Sequence, residues 1–163
     1  MDSQSVKTAN HGGIRGYDAG KRVVGRKRHL LVDTLGLILL VVVHPANIQD
    51  RDGAKLLLNL LSERFGWLTL IWADGGYAGK LVHWVASIHR HRTLRLHIVK
   101  RSDKASKFKV LPKRWIGERT FGWLSKYRRM SKDYETATES SVAMIHIAMI
   151  RLMIARISSN QSF

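Results

Sequence analysis

A single α/β domain is the fold this sequence predicts, and three observations carry that expectation. Leu37 to Val43 reads Leu-Ile-Leu-Leu-Val-Val-Val, apolar at every position, which is the pattern of a strand covered on both faces. Leu56, Leu57, Leu60, Leu61 and Phe65 recur at the three- and four-residue spacing of a helix face. The chain has 163 residues, 45% of them hydrophobic and only two of them proline, enough for one core and short for two.

Residues 3 to 25 carry Gly12, Gly13, Gly16, Gly20 and Gly25 with no period of either kind, which predicts a loop. Arg26 to Val32 and Leu37 to His44 then read as two strands, joined by the turn residues Asp33-Thr34-Leu35-Gly36 as a hairpin. Pro45 stops the second strand, and Asp50 or Asp52 is placed to cap the helix that follows. Leu68 to Ala73 is a further apolar run, ended by Asp74-Gly75-Gly76, where two glycines leave the backbone able to turn.

Residues 79 to 92 have helical spacing (Leu81, Trp84, Val85, Ile88), and Leu94 to Val99 alternates as a strand does. Lys100 to Lys113 is basic and irregular, and a helix is predicted from Trp115 to Met130. Thr136 and Glu139 stand at capping-box spacing for a last helix running to about Ile157. Its apolar stretch, Val142 to Ile157, is interrupted by His146, Arg151 and Arg156 and is shorter than the roughly 20 residues of a membrane span. A buried helix is expected there, with no membrane partner. There is no repeat period, so residues 1–163 are expected to form one domain.

The charge balance points to a polyanion. Lys and Arg number 28 against 12 Asp and Glu, a formal net charge of +16 and a sequence pI of about 10.8. Such an excess concentrates nucleic acid by long-range attraction and counterion release. The basic segments Lys21 to Arg28, which includes Arg26, Lys27 and Arg28, Arg90 to Lys113, and Lys126 to Lys132 are expected to face DNA. Absence of cysteine excludes disulfides, thiolate catalysis and Cys-ligated zinc. No signal peptide opens the sequence, and a cytoplasmic, nucleoid-associated location is expected.

Two motifs fail. Around Gly79-Lys80, Asp74 stands where a phosphate-binding loop has its first Gly, and Leu81 where it has Ser or Thr. His89 and His91 lie in a basic neighbourhood that opposes a divalent cation.

The acids are more informative because they are few. Asp18, Glu63, Asp103, Asp133, Glu135 and Glu139 sit in polar surroundings where solvation suffices, Asp33 fits a turn, and Asp50 and Asp52 fit a cap. Asp2, Asp74 and Glu118 remain. Asp74 follows a buried strand at its C-terminal end, where α/β sheets place their sites, although a turn cap would explain it equally. Glu118 stands four residues after Arg114, and an ordinary surface pair would explain it alone. Taken together, three carboxylates in a cationic body offer the clustered hard oxygens that Mg²⁺ or Mn²⁺ takes, the basis of two-metal phosphoryl chemistry.

Five blocks then show a resemblance: Asp2 to Thr8 (DSQSVKT), Gly25 to Gly36 (GRKRHLLVDTLG), His44 to Asp52 (HPANIQDRD), Ala73 to Tyr77 (ADGGY) and Arg114 to Trp123 (RWIGERTFGW). In this order they resemble the DDE transposases of bacterial insertion sequences, in the IS-five group. The resemblance implies a ribonuclease-H-like mixed sheet flanked by helices, with the first acid on strand one, the second after strand four and the third on a late helix. Asp2, Asp74 and Glu118 match those positions as catalytic residues and metal ligands. It further implies Mg²⁺ or Mn²⁺ as cofactor. The implied partners are double-stranded DNA, both the element's terminal inverted repeats and the target, and a second copy or a full-length transposase.

Arg114 matches the Arg that precedes the catalytic Glu by four residues, as a DNA contact. Two departures stand out: Leu111 replaces a Tyr, and Ser125 stands where a basic residue is expected, with Lys126 one step late as a DNA contact. By the same resemblance most of strand one and a DNA-recognition region are expected to be missing, so that Asp2 lies on a frayed end and the chain alone is weakly active. The alternatives are a non-catalytic DNA-binding remnant that regulates the full transposase, a plain metal-dependent nuclease, and, last, a basic membrane-surface or ribosome-associated module. Trp115 and Trp123 are expected to be core rather than base-stacking residues.

Overall fold

The structure, a computed structural model, describes residues 1–9, 13–88, 94–99 and 113–160. In chain order the elements are β1 (Asp2–Lys7), β2 (Gly16–Asp18), β3 (Val23–Val32), β4 (Ile38–Pro45), α1 (Asp50–Arg64), β5 (Leu70–Asp74), α2 (Lys80–Ile88), β6 (Arg95–Val99), α3 (Arg114–Ser125) and α4 (Thr138–Asn160). Short 3-10 turns, Gly75–Tyr77 and Arg128–Met130, follow β5 and α3.

Central strand β3 pairs antiparallel with β1 on one edge (Asp2 opposite Leu30, Lys7 opposite Gly25) and with β4 on the other (Arg26 opposite Pro45, Leu30 opposite Val41). Strand β2 continues the β4 edge beyond Pro45, with Gly16 opposite Gly25. β5 and β6 form a parallel pair, as a strand, helix, strand crossover requires. The two sheets meet where the Met1 backbone nitrogen donates to the Trp72 carbonyl at 2.7 Å, giving the lateral order β4, β3, β1, β5, β6.

Both faces of this sheet are covered. Leu31, Leu40 and Ile71 pack with Leu57, Leu58 and Leu61 of α1 and with Leu81 and Val85 of α2. Leu30, Val41 and Val43 pack on the opposite face with Phe121 and Leu124 of α3 and Ile145 and Ala148 of α4. Alternate residues of one strand therefore feed two cores, which is why β4 carries no polar face. The mixed α/β architecture agrees with the ribonuclease-H-like expectation.

Several expectations are corrected. Residues 3–25, expected as a loop, hold most of β1, all of β2 and the start of β3, so Asp2 is a paired strand residue and not a frayed end. The helix predicted to reach Met130 ends at Ser125, and the last helix starts at Thr138, with the Thr136 carbonyl accepting Arg26 Nη2 at 2.6 Å ahead of it. That last helix is buried on one face only: Ile147, Ile150, Ile154 and Ile157 are exposed. Trp115 is also exposed rather than core, and it and Trp123 sandwich the Arg119 guanidinium at 4.4 and 4.6 Å.

Candidate active site

Asp2 opens β1, in the middle of the sheet. Its Oδ1 accepts the Ser3 N–H at 2.7 Å, and its carboxyl rests against Gly117 of α3. Asp74 is the last residue of β5, and its Oδ1 accepts the Gly76 N–H at 2.9 Å, so it caps the 3-10 turn that follows. The turn-cap reading is met through Oδ1, and the same carboxylate stands at the strand end where the site reading expects it.

Glu118 follows Gly117 and is exposed. Its helix is held in place by the β3 to β4 hairpin: Thr120 Oγ1 donates to the Gly36 carbonyl at 2.9 Å, and Arg119 Nη2 to the Leu35 carbonyl at 2.9 Å. Gly36 takes φ +85°, a conformation glycine favours, and an added Cβ there would stand 2.8 Å from the Trp123 ring. The hairpin turn is fixed in its own right by Asp33 Oδ1, which accepts Leu35 and Leu37 N–H at 2.9 and 2.8 Å.

The three acids share one electrostatic field. Burial pushes the Asp2 carboxyl up to about 6, and the charges of Asp74 and Glu118 push in the same direction, against the Ser3 hydrogen bond. Asp2, Asp74 and Gly117 also line one cavity of about 310 Å³, whose walls are mostly apolar (Leu31, Ile71, Trp72, Ile116). Among the described residues no three His, Asp or Glu side chains close on a common point as a finished metal site.

Behind Asp2 lies a polar network absent from the sequence reading. Lys27 Nζ contacts Asp50 Oδ1 at 2.9 Å, Asp18 Oδ2 at 3.4 Å and the Ile48 carbonyl at 2.9 Å. Ser3 and Ser5, which alternate on β1 with Asp2 and Gln4, donate to Asp50 and Asp18 at 3.1 and 2.6 Å. The alternating serines were the available signal for a strand face carrying polar partners.

Arg26, Lys27 and Arg28 therefore do not face DNA, which corrects the expectation for them. Their exposures are 0%, 4% and 2%. Arg26 is spent on Asp133 at 3.3 Å, on Ser141 and on the carbonyls of Ile14, Glu135 and Thr136; Arg28 donates to the Met130 and Lys132 carbonyls at 2.9 and 3.1 Å. Asp133 and Asp18, expected to be solvated, are the counter-charges. Lys126, at the C-terminal cap of α3, is exposed as a DNA contact must be. The Arg114 side chain, His89 and His91, and residues 90–93 and 100–112 of the basic segment from Arg90 to Lys113 lie outside the described residues.

A family model described as the transposase DDE domain matches residues 1–153. The chain belongs to that family. No curated protein and no solved structure matches it. A DDE transposase domain acts in DNA transposition; in this one Asp2 stands on β1, Asp74 at the end of β5 and Glu118 on α3.

Proposed function

We propose that this transposase domain cuts a phosphodiester at the ends of an insertion sequence of the IS-five group and joins the freed 3′-hydroxyl to target DNA, with Asp2, Asp74 and Glu118 as its catalytic acids. The observation that carries the reading is the contact of Asp2 with Gly117, which brings the acid of β1 to the helix turn that bears Glu118. The Asp2 carboxyl, raised by burial and by its two acidic neighbours, marks a spot where a cation relieves repulsion.

The donor set is all carboxylate, the oxygen chemistry that Mg²⁺ and Mn²⁺ take, and the three acids would hold the ion. A bound divalent ion supplies Lewis acidity to the scissile phosphate and a more acidic water or hydroxyl at neutral pH. The chain itself fixes two of the acids on strands of a covered sheet and the third on a helix pinned by the hairpin carbonyls of Leu35 and Gly36. Lys126 and the exposed Lys and Arg side chains hold the DNA backbone, as a net charge of +16 favours.

The test is nicking and joining of DNA carrying the element's ends, with and without Mg²⁺. Asp74→Asn and Glu118→Gln are expected to lower the rate by on the order of a thousandfold while leaving DNA binding intact, in line with the loss of a main electrostatic contributor. Asp52→Asn, which removes only an exposed pair with Lys55, is the control. Metal-independent cutting, or full activity in both acid variants, would remove the three acids from the reaction, and DNA binding with no cutting in Mg²⁺ would leave a DNA-binding chain that does not cut.

A further inference from the structure

One face of α4 has no partner among the described residues. Ala143, Ile147, Ile150, Ile154 and Ile157 stand four, three, four and three residues apart, the spacing of a coiled-coil seam. All five are exposed, and the four isoleucines are 56%, 54%, 61% and 60% accessible. The opposite face is committed to the core through Ile145, Ala148 and Met149. We propose that this seam is the interface between two copies of the chain, packed α4 against α4 in antiparallel orientation about a twofold axis. The proposal does not rest on the catalytic reading.

Three features favour a second copy. The isoleucine spacing, three, four, three, reads the same from either end. An antiparallel pair therefore sets Ile147 against Ile157 and Ile150 against Ile154, each contact made twice, as a twofold interface requires. Isoleucine at both seam positions disfavours a parallel two-stranded arrangement. The cations nearest the seam are turned to their own chain: Arg151 lies 5.7 Å over the Tyr127 ring and Arg156 4.2 Å over the Trp123 ring, so the seam carries no charge that would repel its copy. Covering it removes on the order of 500 Å² from each helix, about 1,000 Å² in the pair, the lower bound for a specific interface.

Length and composition alone would let Thr138–Ser159 cross a membrane, but lipid cannot surround a helix whose other face is core.

Light scattering on the nuclease-treated chain over a concentration series decides the matter. High salt screens the repulsion between two +16 chains, and an apolar seam persists there. Twice 18.6 kDa is expected for the native chain, and the mass of one chain for Ile150→Glu/Ile154→Glu with an unchanged circular dichroism spectrum. Should that variant not fold, Ile150→Gln/Ile154→Gln is expected to lose the dimer in the same way. A native chain that stays a monomer overturns the proposal, as does a dimer that survives in a folded variant. A monomer that binds anionic vesicles through Ile150 and Ile154 overturns it also.

Discussion

Asp2 of β1 fills the space that Gly117 leaves on α3: a Cβ on Gly117 would stand 2.7 Å from Asp2 Cβ and 2.8 Å from its Oδ2. A mid-helix glycine ordinarily costs about 1 kcal/mol relative to alanine. Here it allows a strand acid and a helix acid to lie side by side. Gly117→Ala is expected to separate them. Overpacking of about 1–3 kcal/mol exceeds the propensity gain, so the thermal midpoint should fall by the equivalent of at most about 2 kcal/mol. Cutting should fall at least about a hundredfold, as misplacement of a reacting group does. Unfolding and cleavage measured on one preparation separate the two effects, and activity equal to the native chain would mean the contact does not position the site.

The raised Asp2 carboxyl gives stability a definite pH dependence. Its folded value is about 6 against 3.8 for an ordinary Asp. Between those values the folded chain keeps a proton that the unfolded chain has lost, so this group's contribution falls as pH rises through the window and stays unfavourable above it. Roughly two units correspond to at most about 3 kcal/mol. Asp2→Asn should therefore be more stable than the native chain at pH 8 and equal to it near pH 3, in urea titrations at both. Mg²⁺ should raise the native midpoint at pH 8 and leave that of Asp2→Asn unchanged.

Arg26 and Asp133 test the reassignment of the basic strand. Both side chains are fully buried, and Arg26 ties β3 to the segment ahead of α4. Asp133→Ala strands a buried guanidinium and is expected to cost about 3–5 kcal/mol. The salt dependence of DNA binding, measured on the folded fraction, should be unchanged, because neither group reaches a phosphate. A steeper salt slope, from an Arg26 freed of its partner and reaching a phosphate, would return Arg26 to the DNA surface.

How much of this was legible follows from where each signal lies along the chain. Strand β4 announced itself because both its faces are buried, and Asp74 because an apolar run ends on it. β1 was hidden: its residues Asp2 to Ser5 are polar, and their partners, the Lys27 network and α3, lie elsewhere in sequence. The same distance misled the reading of Arg26, Lys27 and Arg28. Arg26 looks solvated when its counter-charge, Asp133, is more than a hundred residues away, and Lys27 when Asp18 and Asp50 come to it only through the fold. Gly117 was visible as a glycine between Ile116 and Glu118 inside a helix, a position that commonly has a packing reason, but what it packs against needs the fold.

The imidazoles of His29 and His44 supply the last prediction. They stack at 4.9 Å, are almost fully buried, and each turns an Nε2 without a hydrogen-bond partner toward Gly53 of α1. Tyr77 holds His29 through Nδ1 at 3.2 Å, and the Pro45 carbonyl holds His44 at 2.8 Å, so neither ring can step aside. A Cβ on Gly53 would overlap both Nε2 atoms, and Gly53→Ala should cost about 1–3 kcal/mol despite alanine's better helix propensity. Burial drives His29 down to about 3 and lowers His44 as well, with the two rings opposing each other's protonation at His29. Both rings are neutral in the fold, so their contribution is complete above about 6.5, the ordinary value, and is lost as pH falls from there. Between pH 6 and 4 this loss opposes the gain from Asp2, and two imidazoles outweigh one carboxyl. The urea midpoint should thus fall on acidification from pH 7 to 5, and a midpoint that rises instead would mean the imidazoles are protonated within the fold.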